Sequence, residues 1–250
     1  MGKPRLLDLF CGAGGAAVGY HRAGFEVVGV DLNPQPRYPF PFERADALHY
    51  LENAWQVRNG FFDAVHASPP CQAYSITKHT HKVQHPDLLA QTRELLKATG
   101  RPYVIENVVG APMENPVTLC GSTLCETATD EDGTPLFLRR HRQFESNVLL
   151  FEGECRCVEL KREGFKIGGV YGGGSRDRNH AENVRHGGYT PSKAVQEQLM
   201  GIDWMTQKEL NQAIPPAYTD FIGRQLMDAL AASKGVSSSQ TNRSRLGDGV

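Results

Sequence analysis

Cys71 has the sequence surroundings of a reactive thiol. It follows Pro69 and Pro70 and precedes Gln72, just beyond a short apolar-leaning stretch. The two prolines fix φ and remove backbone donors, so they set the direction from which the thiol meets a substrate. For an isolated cysteine a packing role would be the better interpretation. The motifs around it favour a nucleophile instead, with the thiolate as the reacting form.

The composition narrows the class of protein. The chain has 250 residues, enough for one sizeable core, and its net charge is −1, from 27 Lys+Arg and 28 Asp+Glu. A nucleic-acid partner would therefore need locally concentrated positive charge. Nothing at the amino terminus resembles a secretory leader, and no apolar run approaches the ~18 residues of a membrane span. We expect a cytoplasmic protein that does not enter a membrane.

The cysteine spacing predicts free thiols. The six cysteines match no familiar disulfide framework. Cys120 and Cys125, together with Cys155 and Cys157, could ligate zinc, but the spacings within these two pairs are not those of common structural zinc sites. We therefore expect scattered thiols and no bound metal.

The order of elements is typical of a doubly wound α/β sheet. An apolar run at 5–10 leads through a glycine-rich loop into a helix-compatible stretch at 16–23, and a second apolar run at 26–31 ends in an acid. This is the first half of such a sheet. Further strands are predicted at 61–67 and 103–106. An amphipathic helix at 86–99 is predicted between them.

The glycine loop and two acids together predict an adenosine site. Glycine lets the backbone approach a ligand closely, although a glycine cluster alone also suits a turn that binds nothing. Asp31 ends the second strand, where an acid can accept both hydroxyls of a ribose. Asp46 could accept from an adenine amino group. The loop lacks the Lys-Ser/Thr pair of a phosphate-binding loop, so S-adenosylmethionine fits better than ATP, with NAD as the second candidate.

The second half of the chain divides by composition. Segment 126–135 is rich in acids and is predicted to be a solvated loop. Segment 161–188 carries six Lys/Arg against three acids, and it also contains eight glycines, which favours a basic insert with many loops. Helical patterns return over 191–232. The tail after 234 has too little apolar content to pack and is predicted to be disordered.

Four short segments, in order along the chain, resemble motifs of the DNA cytosine-5 methyltransferase family. They are 8–15 (DLFCGAGG), 69–72 (PPCQ), 106–108 (ENV) and 140–142 (RHR). The resemblance covers residues 4–150 and, more weakly, 191–230. It implies a Rossmann-like catalytic domain, S-adenosylmethionine as methyl donor and a flipped-out cytosine of double-stranded DNA as substrate.

The resemblance also implies a division of the chain. The catalytic domain would span 1–150, a short target-recognition region 151–190, and helices that return to the catalytic domain 191–233, with 234–250 as a disordered tail. By analogy with compact members of the family, we expect a monomer in the cytoplasm of a bacterial or phage-infected cell.

The chemistry assigns roles to four side chains. Attack of the Cys71 thiolate on carbon 6 of cytosine makes carbon 5 electron-rich enough to take a methyl group. A carboxyl group at Glu106 would hydrogen-bond ring nitrogen 3, and burial would suit it by raising its pKa. Arg142, with Arg140 as a second candidate, would hold the exocyclic oxygen. Taken alone, Glu106 could be a surface acid at a strand end, and Arg140 could belong to a solvated patch or contact phosphate.

The remaining site residues fall into two sets. The cofactor set is Asp8, Phe10, Cys11, Gly12, Ala13, Gly14, Gly15, Asp31, Leu32, Asp46, Ala47, Pro69 and Gln212. The DNA-binding set is Gln72, Ser75, Lys78, Lys82, Arg176 and Arg178. Residues 72–85 are interpreted as a loop that closes over DNA, with an ordinary solvated loop as the alternative.

Some positions depart from the family pattern. Gln212 stands where an asparagine is usual, which puts its contact with the cofactor in question, and Leu138 stands where glutamine is frequent. Two other functions stay open. One is an RNA cytosine-5 methyltransferase with the same pocket but a different groove, and the other is a catalytically silent DNA-binding relative. The set of Cys71, Glu106 and Arg142 argues against the silent relative.

Overall fold

The structure is a computed structural model that describes residues 2–70, 87–170 and 189–244, with side chains described up to residue 233. The strands in this part of the chain are β1 (Arg5–Leu9), β2 (Glu26–Asp31), β3 (Phe42–Arg44), β4 (Ala64–Ala67), β5 (Tyr103–Val108), β6 (Val117–Leu119), β7 (Ala128–Thr129), β8 (Pro135–Leu138), β9 (Arg142–Ser146) and β10 (Lys166–Gly168). The helices are α1 (Gly15–Arg22), α2 (Ala47–Asn53), α3 (Trp55–Arg58), α4 (Leu89–Ala98), α5 (Gly121–Leu124), α6 (Cys157–Arg162), α7 (Lys193–Met200), α8 (Gln207–Gln212) and α9 (Pro216–Ser244).

A seven-stranded sheet forms the centre of the molecule. Its order is β3-β2-β1-β4-β5-β9-β6. The five strands from β3 to β5 are parallel, whereas β9 runs antiparallel to both β5 and β6. The carboxyl ends of β1, β4 and β5 therefore lie side by side, which is where ligands bind in open α/β sheets. The α/β architecture predicted from the sequence is confirmed.

Both faces of this sheet are covered by helices. On one face Leu6, Val104 and Phe144 pack in a buried cluster with residues of α1 and α9. On the other face Leu7 and Ile105 pack in a second cluster with residues of α2 and α4. Successive residues of a strand point to opposite faces, so each central strand must be apolar along most of its length. This explains the near-continuous apolar runs in the sequence.

A second sheet has three strands, in the order β10-β8-β7. Strand β10 pairs in parallel with β8, so this sheet takes strands from both sides of the division expected at residue 150. The segment 126–135 is more ordered than its acid content suggested, because β7, a turn closed by Gly133 N–H to Asp130 O and the start of β8 lie within it. The acids stay in the turn, where water reaches them.

The carboxyl-terminal helix α9 packs on α1 and continues to Ser244. The sequence predicts a disordered tail from 234, so the helical backbone over 234–244 differs from that prediction. Once a helix is established, each added residue gains one backbone hydrogen bond, which carries the helix beyond its packed part. Among the described helices, none combines the length and the hydropathy that a membrane span requires.

Candidate active site

The loop between β1 and α1 has an unusual backbone. Phe10, Gly12 and Gly14 all have positive φ, at 57°, 50° and 87°. Glycine tolerates this conformation, but for Phe10 it is strained, and such strain is found most often at functional sites. A Cβ placed on Gly12 would meet nothing within 4 Å, whereas one on Gly14 would lie 2.7 Å from Pro39 Cδ. The loop therefore packs against the protein at Gly14 and stays open at Gly12.

Asp31 lies against this loop, as the sequence predicts. Its Oδ2 accepts from Gly12 N–H at 3.1 Å, and its Oδ1 accepts from Asn33 N–H at 2.9 Å. These contacts use one lone pair of each oxygen and leave acceptor capacity toward solvent. Leu32, the next residue, is 61% exposed. Together they form an apolar and an acidic surface beside the open side of the loop.

Asp46 has a structural task as well as its predicted one. It is the N-cap of α2, and its Oδ1 accepts from His49 N–H at 2.8 Å. Such a cap typically stabilises a helix by ~1 kcal/mol. Asp46 is exposed and Ala47, the first helical residue, is buried. Only the second carboxylate oxygen of Asp46 is left for a ligand.

Asp8 lies beneath the loop, within β1. It is 1% exposed, Tyr38 O–H donates to its Oδ2 at 3.4 Å, and its Oδ1 has no hydrogen-bond partner among the described residues. Burial raises the pKa of Asp8 to about 8, the hydrogen bond from Tyr38 opposes that rise, and the nearby charge of Asp31 adds to it. The free oxygen gives the site an unused buried acceptor. Burial also raises the pKa of Cys11, which keeps that thiol protonated.

The late part of the chain holds the loop in place. Trp204 Nε1–H donates to Ala13 O at 2.9 Å. A Cβ on Gly15 would lie 2.4 Å from Ile214 O, so the segment after α8 packs directly on the loop. Gln212, the last residue of α8, lies two residues before Ile214, and its side chain is exposed. No local pattern identifies Trp204, because its partner lies 191 residues away.

Glu106 occupies the predicted position at the carboxyl-terminal half of β5 and is buried. Arg142 Nε lies 3.1 Å from its Oε1. Burial raises the pKa of Glu106 above its ordinary value, while Arg142, a hydrogen bond from Ser68 and the charge of Arg140 act in the opposite direction. The interpretation of Glu106 as a solvated surface acid is therefore wrong.

A chain of buried hydrogen bonds ends at Glu106. Tyr20 O–H and His66 Nδ1 are 2.9 Å apart, and His66 Nε2 is 2.9 Å from Ser68 Oγ, which in turn hydrogen-bonds Glu106. Burial lowers the pKa of His66 to about 3, so the imidazole is neutral. One arrangement satisfies every link: Tyr20 donates to Nδ1, Nε2–H donates to Ser68 and Ser68 donates to the carboxylate. Such aligned donors strengthen one another in a buried site.

The segment that contains Pro69 and Pro70, the proline loop, is hydrogen-bonded to the same strand, β5. Asn107 Nδ2–H donates to Pro69 O at 3.2 Å, and Asn107 Oδ1 accepts from Val108 N–H at 2.9 Å. Asn107, which follows Glu106 in β5, thus holds the segment that leads to Cys71, the predicted nucleophile. The predicted residues Cys71, Gln72, Ser75, Lys78, Lys82, Arg176 and Arg178 lie outside the described residues.

Arg140 is placed differently from the expectation of a substrate contact. It is 4% exposed, and its Nη1–H and Nη2–H groups donate to Val170 O at 3.3 Å and Asn211 O at 2.7 Å. Its guanidinium thus joins the turn before β9 to two distant segments. Its positive charge also lowers the pKa of Glu106.

Residues 4–115 match the family model of C-5 cytosine-specific DNA methylases. This segment contains the open glycine loop, the proline loop and Glu106, the three parts that meet at the carboxyl edge of the sheet. The part of the chain that carries these three features is therefore similar to that family. No curated protein sequence matches the chain.

Solved structures share the fold of this protein at low sequence identity. A DNA modification methyltransferase encoded within an E. coli prophage is 14% identical, with a TM-score of 0.55 over 91% of this chain and 99% of that one. Spodoptera frugiperda DNMT2 is 12% identical, with a TM-score of 0.57 over 90% and 99%. S. pombe Dnmt2 is 12% identical, with a TM-score of 0.53 over 91% and 99%. At these identities the similarity supports the fold alone.

Proposed function

We propose that the protein is a DNA cytosine-5 methyltransferase that acts as a monomer through a covalent adduct of Cys71. The observation that carries this proposal is the position of Glu106. It is a buried carboxyl group with a raised pKa, one strand away from the end of β4, where Pro69 and Pro70 lead to Cys71. A nucleophile loop and an acid that stays protonated more readily than usual are the pair that addition to cytosine requires.

The cofactor in this proposal is S-adenosylmethionine, which supplies the methyl group as part of a sulfonium ion. The residues fit it, because the loop is open at Gly12, Asp31 retains acceptor capacity and Asp8 Oδ1 is a buried acceptor without a partner among the described residues. Asp31 would accept from the ribose hydroxyls, and Asp46 from the adenine amino group with its remaining oxygen. Gln212 has no contact in the structure that supports a cofactor role.

The protein groups divide the work on the base. Cys71 forms a bond to carbon 6, and Glu106 donates a hydrogen bond to ring nitrogen 3, which takes up the developing charge. Arg142 holds the exocyclic oxygen and keeps Glu106 in place. The aligned donors from Tyr20, through His66 and Ser68, fix the orientation of the Glu106 carboxyl group. The target cytosine must flip out of the DNA double helix to reach this pocket.

Double-stranded DNA is the favoured substrate, and RNA is the second candidate. The excess of basic residues in 161–188, inside the proposed target-recognition region 151–190, suits phosphate and groove contacts in either case. The family model that matches is one of DNA methylases. Transfer of labelled methyl groups to duplex DNA and to tRNA separates the two. Bisulfite sequencing of a plasmid expressed with the protein then reports the sequence context of the modified cytosine.

The covalent step has a direct test. Duplex DNA with 5-fluorocytosine at the target should trap an adduct that maps to the peptide containing Cys71. Cys71→Ser should abolish methyl transfer and leave cofactor binding intact, whereas Asp31→Ala should chiefly weaken cofactor binding measured by calorimetry. Methylation that proceeds with no adduct at Cys71, or equal turnover by Cys71→Ser, would refute the assignment of the nucleophile.

A further inference from the structure

Four side chains from different parts of the sequence come together around His141, the residue just before β9. The ligand atoms of Cys120, His141, Cys155 and Cys157 all lie within 4.8 Å of one another. Cys120 precedes α5, His141 belongs to the turn that leads into β9, and the other two lie at the start of α6. Among the described residues this is the only group of three or more histidine, cysteine or acidic ligands placed to hold a metal ion.

The separations are close to those of a tetrahedral zinc site. Cys120 Sγ and Cys157 Sγ are 3.5 Å apart, and His141 Nε2 and Cys155 Sγ are 3.4 Å apart. Zinc bonds of about 2.3 Å to sulfur and about 2.0 Å to nitrogen would place tetrahedral ligands ~3.6–3.8 Å apart. All four ligand atoms lie within 4.8 Å of one another, so the widest separation exceeds this range by about 1 Å at most.

A hydroxyl group already supports the cluster. Ser122 Oγ lies 3.2 Å from Cys120 Sγ and 3.8 Å from Cys155 Sγ, and it accepts from Arg156 N–H at 3.1 Å. Metal sites regularly have such outer hydrogen bonds, which orient the ligands and tune their affinity. A surface depression lined in part by Thr118, His141 and Cys155 gives an ion access from solvent.

Packing or a disulfide explains the arrangement less well. The described cysteines are free, and a disulfide would use two of the three thiols and leave the third and the imidazole without a purpose. The sequence predicts scattered thiols and no metal, with zinc held jointly by Cys120, Cys125, Cys155 and Cys157 as the alternative. The structure leaves Cys125 out of the group and supplies His141 instead. That ligand lies 14 residues from its nearest cysteine partner in sequence, too far for a recognisable motif.

We propose that Cys120, His141, Cys155 and Cys157 bind one structural zinc ion. Three thiolates and one imidazole satisfy a closed, four-coordinate site, which suits structure rather than catalysis. The ion would join the end of β6, the turn before β9 and the start of α6. It binds in the absence of DNA and cofactor, so this proposal stands apart from the proposed methyl transfer.

The ion also has a consequence for the active site, and this part rests on the proposed function. His141 is the residue between Arg140 and Arg142. Anchoring His141 to a metal holds the turn on one side, so that Arg142 stays directed at Glu106 on the other. The zinc site would therefore position the arginine without touching substrate.

Metal analysis of the full-length protein tests the site itself. Protein purified without chelators should contain about one equivalent of zinc, and X-ray absorption should show three sulfur and one nitrogen neighbour. Cobalt(II) in its place should give the absorption bands of tetrahedral thiolate coordination. Protein that has no zinc after exposure to zinc alone, or a disulfide between Cys120 and Cys157 in freshly purified protein, would overturn the proposal.

Matched variants locate the ligands. Cys155→Ser changes an exposed side chain, so it should fold and lose the bound zinc, with a lower Tm. Cys125→Ser, a cysteine outside the cluster, should keep the zinc. His141→Cys should retain it, because a fourth thiolate replaces the imidazole, whereas His141→Ala should lose it. Equal zinc content in Cys155→Ser and Cys125→Ser would contradict the assignment.

Kinetic measurements separate the positioning role of the zinc ion from the existence of the zinc site. Removal of zinc should lower kcat at least several-fold with little change in the KM for S-adenosylmethionine, and added zinc should restore it. Unchanged kcat in zinc-free protein would refute the positioning role while leaving the metal site intact. Zinc content in Cys71→Ser should equal that of the unmodified protein, so failure of the proposed methyl transfer would leave the metal result standing.

Discussion

Two buried glutamate–arginine pairs lie on opposite faces of the central sheet. Glu106 on β5 pairs with Arg142 on β9, and Glu145 on β9 pairs with Arg93 on α4. The two glutamates are neighbours across the β5–β9 ladder, where Ile105 lies opposite Glu145 and Glu106 opposite Phe144. Because alternate residues of a strand face opposite sides, one pair meets the helix α4 and the other faces the carboxyl edge of the sheet.

The two pairs differ in how completely they are satisfied. Arg93 donates to both oxygens of Glu145, at 2.7 and 2.8 Å, and Glu114 N–H donates to the same carboxylate at 2.7 Å. Glu106 has one close ion contact, at 3.1 Å, together with Ser68, and its pKa is raised by burial. A carboxylate that accepts three hydrogen bonds, two of them from one arginine, serves structure. One that is buried with capacity to spare is suited to act on a ligand.

Glu106→Gln is expected to have the largest effect on activity. The amide cannot exchange a proton, so kcat for methyl transfer should fall ~10²–10⁴-fold. The free energy of unfolding should change little, because the variant no longer has a poorly solvated acid. Single-turnover transfer of labelled methyl groups, with unfolding by urea in parallel, measures both. A variant with full activity would remove the difference between the two pairs.

Glu145→Gln should show the converse. It leaves Arg93, whose side chain is 8% exposed, without its bidentate partner, and such a loss typically costs about 3–5 kcal/mol of the free energy of unfolding. Turnover per folded molecule should stay near that of the unmodified protein. Urea unfolding and activity at a temperature where the variant remains folded provide the measurements. A large kinetic defect with unchanged stability would contradict the structural role of this pair.

Ser68→Ala should have a smaller effect on catalysis. A hydrogen bond to a charged group contributes about 1.5 kcal/mol, so kcat should fall about tenfold. The bond from Ser68 lowers the pKa of Glu106, and without it that pKa should rise further, which moves the alkaline limb of the pH–rate profile to higher pH. Ser146→Ala, which removes a bond from the side chain next to Glu145 to Tyr103 O, is the matched control. It should leave the profile unshifted.

The smallest expected effect is on stability as pH changes. Because the pKa of Glu106 is raised above its ordinary value of 4.5 in the folded protein, its contribution is fully present below pH 4.5 and is lost as pH rises through the folded-state pKa. Glu106→Gln should therefore gain stability relative to the unmodified protein as pH increases above 4.5. Unfolding free energies of the variant and of the unmodified protein at several pH values would show whether the two curves differ in this direction.

Local patterns were sufficient for the parallel half of the sheet. Strand β2 has the predicted bounds, and β1, α1 and β5 begin or end within a residue or two of prediction, because each is apolar in the period that its environment demands. The antiparallel strands β6 and β9 were missed. They are short and their pairing partners lie more than 20 residues away, so nothing local identifies them.

The site shows the same division. The glycine loop lies where the strand-loop-helix pattern predicts it, and Glu106 lies in β5, where its motif follows a buried strand. Tyr20, His66 and Ser68 were not selected, although His66 and Ser68 come just before the prolines. Their roles depend on a neutral imidazole between two hydroxyl groups, and only burial on one face of the sheet keeps it neutral.

The order of residue types along the chain was thus enough to determine the α/β fold. It also determined the order of the chemical groups along the carboxyl edge of the central sheet. Which groups touch was decided by the tertiary structure. Arg140 turned to backbone carbonyls, Arg142 turned to Glu106, and His141 between them joined three cysteines. Three successive residues acquired three different partners because each partner belongs to a different distant segment, which only folding brings to this part of the chain.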